Sequence, residues 1–240
     1  MAEDSTKRLY VENVDAWKNQ LSKKRFQDRK LEVKVVEQGI VLPARRLPVP
    51  ALEYEGGVCD KDFNFIAGDR VKDINKSSWA CMRSSYTVDR KELIQLDEDV
   101  IFGGVLMGHF GHFISQCLNR LWFVTQSTAL SDNGRGRDKI LFLATLFGGY
   151  KPYFDEFFRL MGIEKERIIY VDKPMQFRSV TVPEQSQYSS ESFTKEFLAP
   201  YLAIKSRVAP GEKKKIYLTR REFEDIKPYP GKGMIHCFNE

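Results

Sequence analysis

From residue 99 onward, short apolar runs alternate with longer amphipathic stretches, and that alternation leaves few architectures open. Residues 100–106, 139–143, 167–171, 180–182 and 215–219 read as strands. Between them, residues 111–128, 152–161 and 192–206 carry apolar side chains at three- and four-residue spacing, which predicts helices. Strands and helices in regular succession make a parallel sheet covered by helices. The expected fold class is therefore α/β, a Rossmann-type parallel sheet wound βαβαβ with helices on both faces.

The first part of the chain lacks that succession. Residues 5–30 are highly charged, with Leu9, Val11, Val14, Trp17 and Leu21 at helical spacing, which predicts surface helices. Residues 31–36 alternate as a half-buried strand does, residues 40–42 form a second strand, and Pro48 and Pro50 extend the segment after it. Residues 56–67 read as a β-hairpin turning at Asp60, Lys61 and Asp62. The expected division is a charged, β-rich N-terminal extension over residues 1–97, packed on a Rossmann-like domain over residues 98–240.

Composition narrows the function classes. The 240 residues carry 42% hydrophobic and 12% aromatic side chains, enough for a folded core. With 38 basic and 33 acidic side chains the formal charge is +5, and the clusters Lys23–Arg25 and Lys213–Lys215 are not interleaved with aromatics, so nucleic acid is not an expected partner. No apolar run approaches the roughly 18–20 residues of a spanning helix, and the charged N-terminus is no signal peptide. A cytoplasmic protein follows as the expectation, with room for peripheral contact at the inner membrane. Cys59, Cys81, Cys117 and Cys237 lack C-x-x-C spacing and read as buried thiols.

The densest chemistry lies in Gly103–Trp122, GGVLMGHFGHFISQCLNRLW, where a strand runs through a glycine-hinged turn into a helix. Phe110, Phe113, Ile114, Cys117, Leu118 and Leu121 make a core-facing stripe, and His112, Gln116, Asn119, Arg120 and Phe123 make a mostly polar one. Ligands of such sheets bind beyond the carboxyl ends of the strands, which places this turn, and the strand end at Arg220 and Arg221, on the functional edge. Gly103, Gly104, Gly108 and Gly111 lack the G-x-G-x-x-G spacing, so they serve close approach to a ligand or to a neighbouring strand. His109 and His112 have the spacing of two metal ligands but no obvious third partner, so no metal is expected. Histidine is the one residue type on the helix that exchanges protons near neutral pH, which makes His112 a candidate base; the same ring also suits a cap or a core position. Tyr150, Tyr153, Phe154, Phe157 and Phe158 have helical spacing and read as core.

Two of these segments together resemble a known family. GHFGHFISQCLNRLW resembles the "FGHFLLE.L.RLW" segment of bacterial family 61 glycosyltransferases, which act in capsular and lipopolysaccharide assembly. Lys215–Arg220 is similar to that family's "KIYISR" strand end, Asn239 and Glu240 to its "NE" dipeptide, and Gly57–Asp60 to its "GGVFD" element. The resemblance implies a GT-B architecture and inverting transfer of a sugar from a nucleotide-sugar donor to a glycan acceptor, with no cofactor and no obligatory metal. In the family the Asn-Glu pair opens the second Rossmann-like half, so with Glu240 as the last residue that half is expected to be missing or truncated.

By the same resemblance His112 and Gln116 take the catalytic positions, and His109, Asn119, Arg120, Arg220, Arg221, Asn239 and Glu240 contact substrate, with Arg220 on the donor phosphates. For Arg120, a structural ion pair is an equal claim. Gln116 stands where the family usually carries Asp or Glu, and an amide is no general base at neutral pH. The alternative expectation is therefore a non-catalytic, truncated module that binds glycan, nucleotide or another polysaccharide-biosynthesis protein.

Overall fold

The apolar run near residue 100 does become the axis of a sheet. The computed structural model describes residues 27–49, 53–68, 71–72, 78–79, 81–126, 138–143, 150–189 and 192–208. The first strands are β1 (Val33–Glu37), β2 (Ile40–Arg46), β3 (Glu53–Cys59) and β4 (Phe65–Ala67). Three short ones follow, β5 (Val71–Lys72), β6 (Ser78–Trp79) and β7 (Cys81–Ser84), and then the long β8 (Ile94–Val105). Beyond β8 come α1 (Phe110–His112), a π-helical segment (Phe113–Cys117), α2 (Trp122–Gln126), β9 (Lys139–Leu143) and α3 (Pro152–Met161). The last described elements are β10 (Ile168–Val171), β11 (Met175–Pro183), β12 (Gln187–Ser189), β13 (Ser192–Phe193) and α4 (Ala199–Arg207).

Among the described residues nine strands form one mixed sheet in the order β10-β9-β8-β11-β2-β3-β4, with β1 also on β11 and β7 also on β3. The pairs β10–β9, β9–β8 and β8–β11 are parallel, as expected from the alternation. The expectation of a parallel sheet throughout is corrected by the N-terminal strands: β1–β11, β11–β2, β2–β3 and β3–β4 are antiparallel. The N-terminal stretch is thus woven into the sheet rather than laid over it. What recruits it is β11, nine residues long where only residues 180–182 read as strand. Gln176, Arg178 and Ser179 hide the first half of β11 from hydropathy, and Arg178 is exposed and paired with Asp99 at 2.7 Å.

Two further expectations change. The described helices lie together rather than on both faces, since α4 contacts both α2 and α3. The reason is topological: β8, β9 and β10 step in one direction, so right-handed crossovers put both connections on one side. The helix expected over residues 192–206 is instead β13, a 3-10 turn at Lys195–Leu198 and then α4, which begins where Pro200 fits a first helical turn. The predicted helix at 152–161 and the hairpin turning at Asp60 are both present; the Asp60 carboxylate accepts from the Asp62 and Asn64 backbone N–H groups at 2.9 Å. The predicted strand at 215–219 and the charged helices of residues 5–26 lie outside the described residues.

The sheet curls, and β2 comes back into contact with β9 and β10. Only residues 172–174 join β10 to β11, about 14 Å of extended chain. β10 ends level with Val105 of β8, through Leu143, while β11 begins level with Ile94 at the other end of the same strand. A flat sheet would need a far longer link.

Gly103 and Gly104 show what the glycine turn is for. The pairing of β8 with β9 shifts by one residue between Phe102 and Gly104, and Gly104 has φ 106°, the geometry of a bulge. A Cβ on Gly103 would sit 2.5 Å from the buried Phe142 ring, so this glycine serves close approach to a neighbouring strand.

Candidate active site

Strand β8 is the point at which strand order reverses, with β9 on one side and β11 on the other. The loop beyond its carboxyl end is where an α/β sheet opens a crevice. That loop carries the sequence's two described histidines. Leu106 and Met107 are still buried, the Gly108 carbonyl accepts from the Tyr153 hydroxyl at 3.1 Å, and His109 emerges exposed and caps α1.

A single regular helix was expected over residues 111–128, but α1 gives way to a π-helical turn at once. Three ties hold the wider turn in place. The Phe113 side chain is fully buried, stacked on Phe154 at 4.6 Å and edge-on to Tyr153 and Phe157 at 5.4 Å. The Cys117 sulfur accepts from the Met107 backbone N–H at 3.2 Å. From α4, the Tyr201 hydroxyl donates to the Ile114 carbonyl. Burial, and then the neighbouring Cys117, push the Tyr201 phenol up to about 12, so it stays a neutral donor. Single π turns inside helices recur at functional sites, because the extra residue re-aims side chains.

His112 and Gln116, four residues apart on this segment, are both half-buried. The His112 Nδ1 lies 2.8 Å from the Gln116 amide oxygen, and the His109 and His112 rings are 4.9 Å apart, tilted by 56°. An amide oxygen only accepts, so across this contact His112 Nδ1 is the donor. The assignment follows from the amide's orientation. Phe110, between the two histidines, is 51% exposed and rests edge-on against Tyr153 and Phe157. Among the described residues no group of three His, Cys, Asp or Glu is placed to hold a metal ion.

The rest of the polar stripe turns inward. Arg120 is buried, donates to the Pro183 carbonyl and, at 2.7 Å, to the Gly68 carbonyl, and lies over the Phe102 ring at 5.2 Å. Its structural role is to tie the helix to two backbone segments, with carbonyls taking the place of the carboxylate that sequence suggested. Arg120→Ala strands both acceptors and is expected to cost about 2–4 kcal/mol in urea unfolding; unchanged stability with weakened ligand binding would return this arginine to the ligand. Asn119 is 3% exposed, and its carbonyl accepts from the Ser186 backbone N–H at 3.1 Å and hydroxyl at 2.7 Å. Arg220, Arg221, Asn239 and Glu240 lie outside the described residues.

The comparisons with family models, curated proteins and solved structures gave no match. Among the described residues no helix is long and apolar enough to cross a membrane.

Sequence reasoning missed the contribution of α3 and α4 to this loop. The α3 aromatics read as core, and Phe154 and Phe158 are fully buried. Tyr153 also holds the loop before the histidines. On the same helix, burial would raise the Asp155 carboxyl, but hydrogen bonds from Lys165, Tyr150 and Tyr170 outweigh it and hold the carboxyl below its usual range. A lowered folded pKa adds stability above the unfolded carboxylate pKa of about 4 and loses it as pH falls. The melting-temperature gap between wild type and Asp155→Asn is therefore expected to close below about pH 4; a gap that is the same at pH 3 and pH 7 would contradict it.

Proposed function

We propose that the chain is an inverting glycosyltransferase in surface-polysaccharide assembly, with His112 as the base that takes the proton of an acceptor hydroxyl. In that step the acceptor oxygen bonds to the anomeric carbon of a nucleotide sugar, the bond from that carbon to the phosphate oxygen breaks, the nucleotide leaves with the electron pair, and the proton goes to His112 Nε2. The observation that carries the proposal is the 2.8 Å contact between His112 Nδ1 and the Gln116 amide oxygen. It gives Gln116 the task of fixing a ring and a tautomer, for which a carboxylate is not required. His109 and the exposed Phe110 ring flank the base and contact the sugars.

The GT-B assignment draws support from the parallel β8–β9–β10 unit with helices between its strands and the histidines at its reversal point. In the same proposal Arg220 and Arg221 meet the donor phosphates, Asn239 and Glu240 belong to the donor side, and neither cofactor nor metal is required. The protein works in the cytoplasm, peripheral to the inner membrane, beside other polysaccharide-assembly proteins. A second reading, a binding module without turnover, is favoured by one observation: Asn119 and Arg120 are turned inward, so fewer polar groups remain on the surface of the motif helix.

Purified chain incubated with UDP-, GDP-, CMP- and dTDP-sugars is expected to release nucleotide from at least one of them. Saturable binding of a donor with no release supports the module. Neither binding nor release from any donor class overturns both readings.

A further inference from the structure

β1 and β2 follow one another with a break at Gln38 and Gly39, where Gln38 takes φ 52°, and both β1 and the start of β2 ladder to β11. On the other side β3 covers β2 between Ile40 and Arg46 and then turns away at Asp60. Among the described residues β1 pairs with β11 alone, so its other side is an open sheet edge. A cleft of about 610 Å³ runs along that edge, lined by residues 34–38 and by Asp60, Lys61, Asp62 and Ile66 of the β3–β4 hairpin.

The ladder fixes which groups face the cleft. Val33 stands opposite Pro183, which has no N–H, while the Glu184 N–H donates to the Glu32 carbonyl and the Gln38 N–H to the Arg178 carbonyl, both at 2.8 Å. Hydrogen-bonded pairs alternate along an antiparallel ladder. Residues 32, 34, 36 and 38 therefore bond to β11, and Val33, Val35 and Glu37 direct their N–H and C=O groups outward. The Val33 and Val35 side chains share one face, 39% and 44% exposed, on the side away from the buried Val36. Such an edge is a template for a further strand.

The strand that fits is a second copy of β1, run antiparallel. With Val35 opposite Val35 of the copy, Val33 meets Glu37 and Lys34 meets Val36. Three residue pairs then exchange two backbone bonds each, so every outward group of β1 is used. The two-fold axis stands perpendicular to the sheet, and the exposed valines of both copies merge into one patch on one face. The antiparallel course also brings the copy's exposed Lys30 to the end of the cleft where Glu37, Asp60 and Asp62 outnumber Lys61. We propose that β1 is a homodimerisation edge, through which one sheet continues across two copies of this chain about Val35. A second copy is favoured over a foreign peptide because the same residues supply both halves of the match. The proposal is independent of the transferase reading.

Sedimentation velocity and light scattering on the full chain are expected to give twice the mass of one chain, falling on dilution. Val35→Pro removes an N–H that faces away from β11 and leaves that ladder intact, so it is expected to fold and to associate at least tenfold more weakly. Val35→Lys sets two ammonium groups against each other at the axis and carries the same expectation should the proline variant not fold. Register is read by cross-linking: Cα atoms of a hydrogen-bonded antiparallel pair lie about 5.5 Å apart, within the span of a disulfide. Under diamide, Val35→Cys is expected to form a covalent dimer, whereas Lys34→Cys, set opposite Val36, cross-links no more than wild type. A wild type with the mass of one chain at every concentration overturns the proposal. So does a dimer that both position-35 variants leave intact, or one that Lys34→Cys cross-links and Val35→Cys does not.

Discussion

His112→Ala is expected to lower nucleotide-sugar turnover on the order of 10²- to 10⁴-fold, the range lost with a positioned general base. The fall should appear in kcat with KM little changed, because the base acts on the proton in flight and contributes little to holding the donor. Gln116→Leu keeps the ring and removes its orienting acceptor, so a loss of about tenfold is expected, smaller than the loss of the base itself. Gln116→Glu restores an acceptor at the same atom and is expected to recover activity. That ordering separates positioning from bulk structure: equal losses for Leu and Glu at position 116, or a His112→Ala enzyme as fast as wild type, would remove His112 from the chemistry. Melting temperatures of all three variants should stay near wild type, since His112 and Gln116 are only half-buried.

The second large effect is on stability. Phe113→Ala empties a fully buried site among Tyr153, Phe154, Phe157 and Phe158. Truncations of this kind cost about 3–5 kcal/mol, or roughly 6–20 °C in melting temperature for a domain of this size. Phe113 is also the first residue of the π turn, so the turn loses its anchor together with the core. Turnover should therefore fall by more than the unfolded fraction accounts for, measured at a temperature where the variant is still mostly folded. A melting temperature within 2 °C of wild type would show that the ring cluster does not hold this loop.

What the sequence made legible follows from where its signals are local. β9 is an apolar run and α3 has clean helical periodicity, and both stand where periodicity put them, whereas β8 starts at Ile94, six residues ahead of the apolar run read from residue 100. The first half of β11 is hidden from hydropathy because its polar residues are matched by distant partners, Arg178 and Ser179 by Asp97 and Asp99 on β8 and Gln176 by the Gln38 carbonyl. The same holds for Arg120, whose acceptors at Gly68 and Pro183 lie far away along the chain. Gln116 was legible as chemistry and not as geometry. Its place on the polar stripe was plain and its four-residue distance from His112 permits their bond; what periodicity does not show is the π turn around them, held by Tyr201 and by the Cys117–Met107 bond.

The first described strand has a consequence for how this protein is made. β1 finds its partner in β11, with Val33 opposite Pro183, so most of the polypeptide must leave the ribosome before the β1 ladder closes. Until then a nascent chain displays Val33, Val35 and Val36 with no complementary edge, a state in which unpaired strand segments invite association with other chains. Overexpression at low temperature, or with a chaperone that shields early strands, should therefore raise the soluble yield by delaying aggregation until the late strand arrives.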